Sequence, residues 1–80
     1  MSKPSVLVID DDNDYLELLN EALEDSFVVR SAENLTQAER IINDYGSVDM
    51  ALVDENIGEE KGSEWIKEKV AQGNVATSFV

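Results

Sequence analysis

Residues 6–9 read VLVI and are followed by Asp10 and Asp11, and residues 50–53 read MALV and are followed by Asp54. Short, wholly apolar runs of this kind are typical of strands that are covered on both faces of a parallel sheet. In both stretches an acidic side chain ends the apolar run. The two stretches therefore indicate the fold class and the place where chemistry is expected.

Helical and strand-like patterns alternate over the rest of the chain. Apolar residues at helical spacing predict three helices, and two further apolar stretches predict additional strands. The predicted helices cover residues 14–24, 36–45 and 63–72, and the additional strands cover residues 27–29 and 75–80. The order β-α-β-α-β-α-β predicts an α/β fold with a parallel sheet and right-handed crossovers.

Periodicity and helix-end signals also assign individual side chains. Asp12 or Asn13 is expected to cap the first helix, and Thr36 to open the second helix with capping-box spacing. Tyr15 and the leucines of the first helix are assigned to the core. The alkyl chain of Lys69 is expected to lie along the edge of the core, with its amine in water.

The composition excludes several classes of function. Among the 80 residues, 18 are acidic and 6 are basic, which gives a formal net charge of −12. This charge argues against nucleic acid or an anionic membrane as a direct partner, because both attract basic patches. Without Cys or His, thiol catalysis, Ser–His triads and zinc hydrolase sites are excluded. No apolar run approaches membrane-spanning length, so we expect a soluble cytoplasmic domain.

The acids that follow the two apolar strands predict a metal site. Ligands of open parallel sheets bind beyond the carboxyl ends of the strands, and neighbouring strands lie about 4.8 Å apart. Asp10, Asp11 and Asp54 would then converge, and without a metal at least one of them should resist ionisation. Oxygen ligands with no nitrogen or sulfur favour Mg²⁺, with Mn²⁺ as the alternative ion.

The acids that follow the two strands also match other patterns. A single Asp after a strand is common as a turn former or a helix cap. Asp10, Asp12, Asp14 and Glu21 match the ligand spacing of an EF-hand, but Tyr15 occupies the position that requires Gly. A strand followed by Asp-x-Asp also opens the haloacid-dehalogenase phosphatases, which need a longer chain and further Lys and acidic motifs.

Three segments resemble the receiver domain of two-component response regulators: VLVIDDDNDYLELL, AENLTQAERII and MALVDENIGEEKG. The resemblance runs in order over the whole chain and includes a Gly eight residues after Asp54. It implies a flavodoxin-like, three-layer α/β/α fold with a parallel sheet of strand order 2-1-3-4. Residues 1–80 would form the N-terminal portion of such a domain, truncated after the fourth strand.

The resemblance also implies the roles of the acidic residues. Asp54 would be the phosphoacceptor. Asp11 and Asp54 would bind Mg²⁺ directly together with the backbone carbonyl of Asn56, and Asp10 would act on the metal largely through water. A sensor histidine kinase would be the phosphodonor, and the domain would catalyse its own modification without being a turnover enzyme.

Two residues of the family's pattern are not supplied by residues 1–80. Receiver domains have a Ser or Thr after strand four and a Lys after strand five, whereas Thr77 and Ser78 lie inside the predicted fourth strand. Two other functions therefore stay open. One is a receiver-like interaction or dimerisation module that is no longer phosphorylated, and the other is a metal-dependent phosphohydrolase.

The predicted fourth strand also suggests self-association. Residues 75–80 contain no charged residue and no Pro, so the open edge of this strand could template pairing with another chain. We therefore expect a homodimer through the edge of the fourth strand.

Overall fold

The computed structural model describes residues 3–57 and 60–79 and confirms the predicted alternation of strands and helices. Its elements are β1 (Ser5–Ile9), α1 (Asn13–Leu23), β2 (Val28–Ala32), α2 (Leu35–Tyr45), β3 (Val48–Val53), β4 (Asn56–Ile57), β5 (Glu60–Lys61), α3 (Gly62–Ala71) and β6 (Val75–Phe79). The short antiparallel pair of β4 and β5 was not predicted. Within the described ranges, no helix has the length and apolar character needed to cross a membrane.

The main sheet has four parallel strands in the order β2-β1-β3-β6. This confirms the predicted order 2-1-3-4, with β6 as the fourth strand. The register between β1 and β3 pairs Ile9 with Val53, so both strands end at the same level of the sheet. The residues that follow them therefore emerge side by side.

The side chains of β1 alternate between two apolar layers, as expected for a buried central strand. Leu7 and Ile9 belong to the layer covered by α2 and α3. Val6 and Val8 pack with Leu16 of α1 on the opposite face. The second layer also contains half-buried side chains from α1, β2 and β3 and from the turn before β2, namely Leu19, Leu23, Phe27, Val29, Met50 and Leu52.

Side chains cap the N-termini of α1 and α2, although the second N-cap differs from the prediction. Asp12 caps α1 as expected, and its carboxylate accepts hydrogen bonds from the backbone N–H groups of Asp14 and Tyr15. The capping box predicted at Thr36 is wrong, because the side chain of Asn34 accepts from the N–H of Gln37 instead. β2 ends at Ala32 and α2 begins at Leu35, so only Glu33 and Asn34 connect the two elements.

The core assignments of α1 are wrong for two of its apolar residues. Tyr15 is 45% exposed and Leu18 is 62% exposed, whereas Leu16 is buried. The helix buries only the stripe that contains Leu16, Leu19 and Leu23, because it lies against one part of the sheet face. Side chains beside that stripe consequently remain in contact with solvent.

Lys69 is also placed differently from the prediction, since its amine does not lie in water. The residue is 7% exposed, and its ammonium group forms an ion pair with the Glu39 carboxylate of α2. The indole N–H of Trp65 donates to the same carboxylate at 3.0 Å. A buried ammonium group needs such a partner to offset its lost hydration. The three side chains thereby join α2 to α3.

This cluster predicts a pH-dependent contribution to stability. The hydrogen bond from Lys69, supported by that from Trp65, holds the pKa of Glu39 below its ordinary value. The stabilisation is therefore present above the pKa of the unfolded chain and is lost as the pH falls through the lower folded pKa. Because the Glu39 side chain is partly exposed and screened, we expect Glu39→Gln to cost about 1 kcal/mol near pH 7.

Urea unfolding followed by circular dichroism measures this difference. Glu64→Gln is the control variant, because Glu64 is an exposed residue of α3. The cost of Glu39→Gln should shrink as the pH falls through the lowered folded pKa of Glu39, because the wild-type carboxylate then also becomes protonated. Equal stabilities of the two variants near pH 7 would contradict the assigned role of Glu39.

Candidate functional site

Three carboxylates meet at the carboxyl ends of β1 and β3. The N–H of Asp54 donates to the Ile9 carbonyl at 2.9 Å, and the N–H of Asp10 donates to the Ala32 carbonyl at 3.1 Å, so the backbone pairing continues past the strand ends. Asp10, Asp11 and Asp54 each offer an oxygen, and these oxygens lie within 4.8 Å of one another. The convergence predicted from the sequence is confirmed.

The neighbouring acids of residues 10–14 have different roles. Asp10 Oδ1 accepts the backbone N–H of Asp12 at 3.0 Å, which fixes the Asp10 carboxylate beside the strand end. Asp12 Oδ1 is engaged in the cap of α1, and Asp14 is an exposed residue of its first turn. The acidic run therefore divides into a capping part and a part that joins the cluster.

Ionisation of Asp10 is disfavoured by its surroundings. Burial raises the pKa of the Asp10 carboxyl above its ordinary value, and the charges of Asp54 and Asp11 raise it further, against the lowering effect of the Asp12 N–H. The predicted resistance to ionisation is thus confirmed for this residue. Burial is the largest single cause of the raised pKa, and the charges of Asp54, Asp11 and Asp12 each add to it. A cation at the cluster would oppose both effects.

Gly62 allows α3 to begin directly against the backbone of Asp54. A Cβ at this position would collide with the Asp54 carbonyl oxygen and would lie 2.7 Å from Val53 Cγ1. The Gly62 N–H donates to the Glu55 carbonyl at 2.8 Å, and the hydroxyl of Ser63 donates to the Glu55 carboxylate at 2.9 Å. These contacts hold the segment after Asp54 and orient the end of β3.

Asn56 lies two residues after Asp54, at the start of β4, where it pairs with Lys61. The use of its backbone carbonyl as a metal ligand stays a prediction. Gly58, which stands where receiver domains usually have Pro, lies outside the described residues.

The family model of the response regulator receiver domain matches residues 6–77, a span that includes every carboxylate of the cluster. The chain belongs to the response regulator receiver family. No curated protein is significantly similar to it in sequence. The receiver fold accounts for the strand order and for the position of the acids at the carboxyl edge of the sheet.

The donor set of this receiver domain fits a hard divalent cation. Octahedral Mg²⁺ binds oxygens at about 2.0–2.1 Å, which places ligand oxygens about 3–4 Å apart. The carboxylate oxygens of the cluster lie within 4.8 Å of one another, so a small inward movement would satisfy this spacing. Asp11 is exposed, which leaves one side of the cluster open to solvent. Carboxylate oxygens also favour Mg²⁺ or Mn²⁺ over softer metals.

A cleft of about 450 Å³ extends from the cluster over the sheet of the receiver domain. Its lining residues are Val8, Ile9, Asp10, Tyr15, Leu52, Val53, Asp54 and Phe79. Sequence reasoning missed Tyr15, Leu52 and Phe79 as neighbours of the site. Residue spacing does not show which part of the sheet face α1 leaves uncovered, because this depends on how the helix packs.

Proposed function

We propose that this receiver domain accepts a phosphoryl group on Asp54 from the phospho-histidine of a sensor histidine kinase, in a Mg²⁺-dependent signalling reaction in the cytoplasm. The observation that carries the proposal is the convergence of the Asp10, Asp11 and Asp54 oxygens within 4.8 Å at the end of the central strands. Membership of the receiver family supports the same function.

Each carboxylate has a role that fits its surroundings. Asp11 and Asp54 would hold the metal directly, with the Asn56 carbonyl as a further ligand. Asp10 would act through water, because one of its oxygens already accepts the N–H of Asp12. When bound, Mg²⁺ would supply positive charge that offsets repulsion between the carboxylates and the phosphoryl oxygens. Mn²⁺ is the alternative ion.

The reaction itself is a nucleophilic displacement at phosphorus. An oxygen of the Asp54 carboxylate attacks, the P–N bond of phospho-histidine breaks, and the imidazole nitrogen leaves with the electron pair and takes up a proton. The product is an acyl phosphate on Asp54. Each chain accepts one phosphoryl group, so the receiver domain modifies itself and is not a turnover enzyme.

Incubation with acetyl phosphate and Mg²⁺, followed by intact mass measurement, tests this function. The proposal requires a gain of one phosphoryl group per chain, which should not occur when Mg²⁺ is removed. A receiver-like interaction module would gain no mass under either condition. A phosphohydrolase would instead release many product molecules per chain from a generic phosphomonoester, without lasting modification.

A second proposal concerns assembly. We infer that two copies pair through the edge of β6. This strand pairs with β3 on one side, and its sequence VATSF carries no charge along the other side. The opposite edge strand, β2, carries Arg30, which makes pairing there less favourable. Repulsion between two chains of net charge −12 opposes pairing and is screened by salt.

Light scattering coupled to size exclusion should therefore report about 18 kDa, twice the chain mass of 8.9 kDa, with the dimer favoured by salt. Thr77→Lys places a charge on the edge strand and should give a monomer. Thr36→Lys, at an exposed position of α2, is the matched control and should remain dimeric. An 8.9 kDa wild-type species at high micromolar concentration and moderate salt would show that the edge does not pair.

A further inference from the structure

Glu55 lies between the two residues that are proposed to bind the metal on the β3 side of the cluster. It directly follows Asp54 and directly precedes Asn56. Although Glu55 is acidic, its carboxylate is not one of the three that meet in the cluster. One of its oxygens instead accepts the hydroxyl of Ser63 at 2.9 Å, in a partly buried hydrogen bond. The side chain of Glu55 is therefore directed to α3.

The first turn of α3 is capped by Glu55 and not by the residue that precedes the helix. Lys61 occupies the N-cap position, and its side chain makes no capping hydrogen bond. The Glu55 carbonyl accepts the N–H of Gly62, the first residue of the helix, at 2.8 Å. Its carboxylate is bound to the hydroxyl of Ser63 in the same turn, where the helix dipole favours negative charge. Glu55 thus satisfies donors of α3 through both its backbone and its side chain.

The backbone on both sides of Glu55 is held as well. Before it, the absence of a Cβ at Gly62 lets α3 begin against the Asp54 carbonyl. After it, Asn56 pairs with Lys61 between β4 and β5. The helix α3 packs on the same face of the sheet as α2, which gives these contacts a fixed base. Glu55 therefore connects the segment that carries both proposed metal ligands to the packed body of the domain.

We propose that Glu55 is a positioning residue for the metal, and that its hydrogen bond to Ser63 holds Asp54 and Asn56 in the arrangement that binds Mg²⁺. This inference rests on the proposed function, which assigns the Asp54 carboxylate and the Asn56 carbonyl to the metal. Loss of a group that orients metal ligands typically lowers metal affinity about 10–100-fold. Glu55 acts through the backbone of its two neighbours, so we expect a change near the lower end of that range.

Isothermal titration calorimetry of the chain with MgCl₂ in moderate salt measures the dissociation constant directly. Ser63→Ala and Glu55→Ala each remove the hydrogen bond and should raise the Kd for Mg²⁺ about tenfold. Glu55→Gln keeps an oxygen that accepts the Ser63 hydroxyl, and Ser63→Thr keeps the hydroxyl, so both should stay within about twofold of the wild type. Because the two residues act through one bond, the double variant Glu55→Ala/Ser63→Ala should bind Mg²⁺ as each single Ala variant does.

A role of Glu55 through its charge alone would give a different pattern. Glu55→Gln would then weaken Mg²⁺ binding as much as Glu55→Ala, and Ser63→Ala would bind Mg²⁺ as the wild type does. Either result would overturn the proposal. Glu64→Ala is the control and should leave the Kd unchanged, because Glu64 is an exposed acidic residue of the same first turn of α3. Melts in EDTA give the stability of each variant, and the titrations are run well below the lowest melting temperature, so that only folded chains are compared.

The rate of phosphoryl addition from acetyl phosphate provides a second readout. With Mg²⁺ well below the Kd, Ser63→Ala should be modified about tenfold more slowly than the wild type, and the difference should close as Mg²⁺ reaches saturation. If the wild type binds Mg²⁺ but gains no phosphoryl group, only the proposed function fails, and the dissociation constants still decide the role of Glu55. Equal Mg²⁺ affinities of Ser63→Ala and the wild type would overturn the positioning role even if Asp54 is phosphorylated. A wild type that binds no Mg²⁺ would overturn both.

Discussion

Replacement of Asp54 by Asn is expected to abolish phosphoryl addition. The amide keeps the size of the side chain, and the backbone N–H at this position still donates to the Ile9 carbonyl, so the strand end should be preserved. An amide oxygen is a far poorer nucleophile than a carboxylate and cannot form the acyl phosphate. Loss of one charge from the cluster also relieves repulsion with Asp10. The variant should therefore fold normally and lack the acceptor.

Intact mass after incubation with acetyl phosphate and Mg²⁺ measures the effect. Asp14→Asn is the matched control, because Asp14 lies in the exposed first turn of α1 and outside the cluster. The control should gain one phosphoryl group at the wild-type rate, and hydroxylamine should remove it as expected of an acyl phosphate. A mass gain in Asp54→Asn equal to that of the wild type would assign the acceptor to another residue.

The position of the acids at the strand ends could be predicted because its signal is local, whereas the strand order was implied by the resemblance to receiver domains. Apolar runs of four residues indicate buried strands, and an acid that directly follows such a run must lie at the strand's carboxyl end. Once β1 and β3 are neighbours, the pairing of Ile9 with Val53 leaves Asp10 and Asp54 together. No long-range detail of side-chain packing is needed for this step.

The remaining features depend on contacts between distant parts of the chain. Glu39 and Lys69 form their ion pair only because α2 and α3 pack on the same face of the sheet. The cleft depends on how far α1 extends over β3 and β6, which residue spacing does not specify. The sequence also could not distinguish between two candidate N-caps of α2. Asn34 precedes Gln37 by three positions and Thr36 precedes Glu39 by three positions, so both have capping-box spacing.

Magnesium is expected to stabilise this receiver domain strongly. A ligand that binds only the folded chain adds about 2.7 kcal/mol at one hundred times its dissociation constant. For a domain of this size, such a gain corresponds to an increase in Tm of about 10–20 °C. The physical reason is the cluster itself, where three carboxylate oxygens lie within 4.8 Å of one another in a chain of net charge −12. The unfolded chain does not hold these groups together.

Thermal melts with MgCl₂ and with NaCl of equal ionic strength separate specific binding from general screening. Asp11→Ala should lose the response to Mg²⁺, and it should melt at a higher temperature than the wild type when Mg²⁺ is absent, because one repelling charge has been removed. Asp14→Ala also removes an acidic charge but lies outside the cluster, so it should keep the full response. If MgCl₂ and NaCl give coincident melts for the wild type, or if Asp11→Ala responds as strongly as Asp14→Ala, the three carboxylates do not form the metal site.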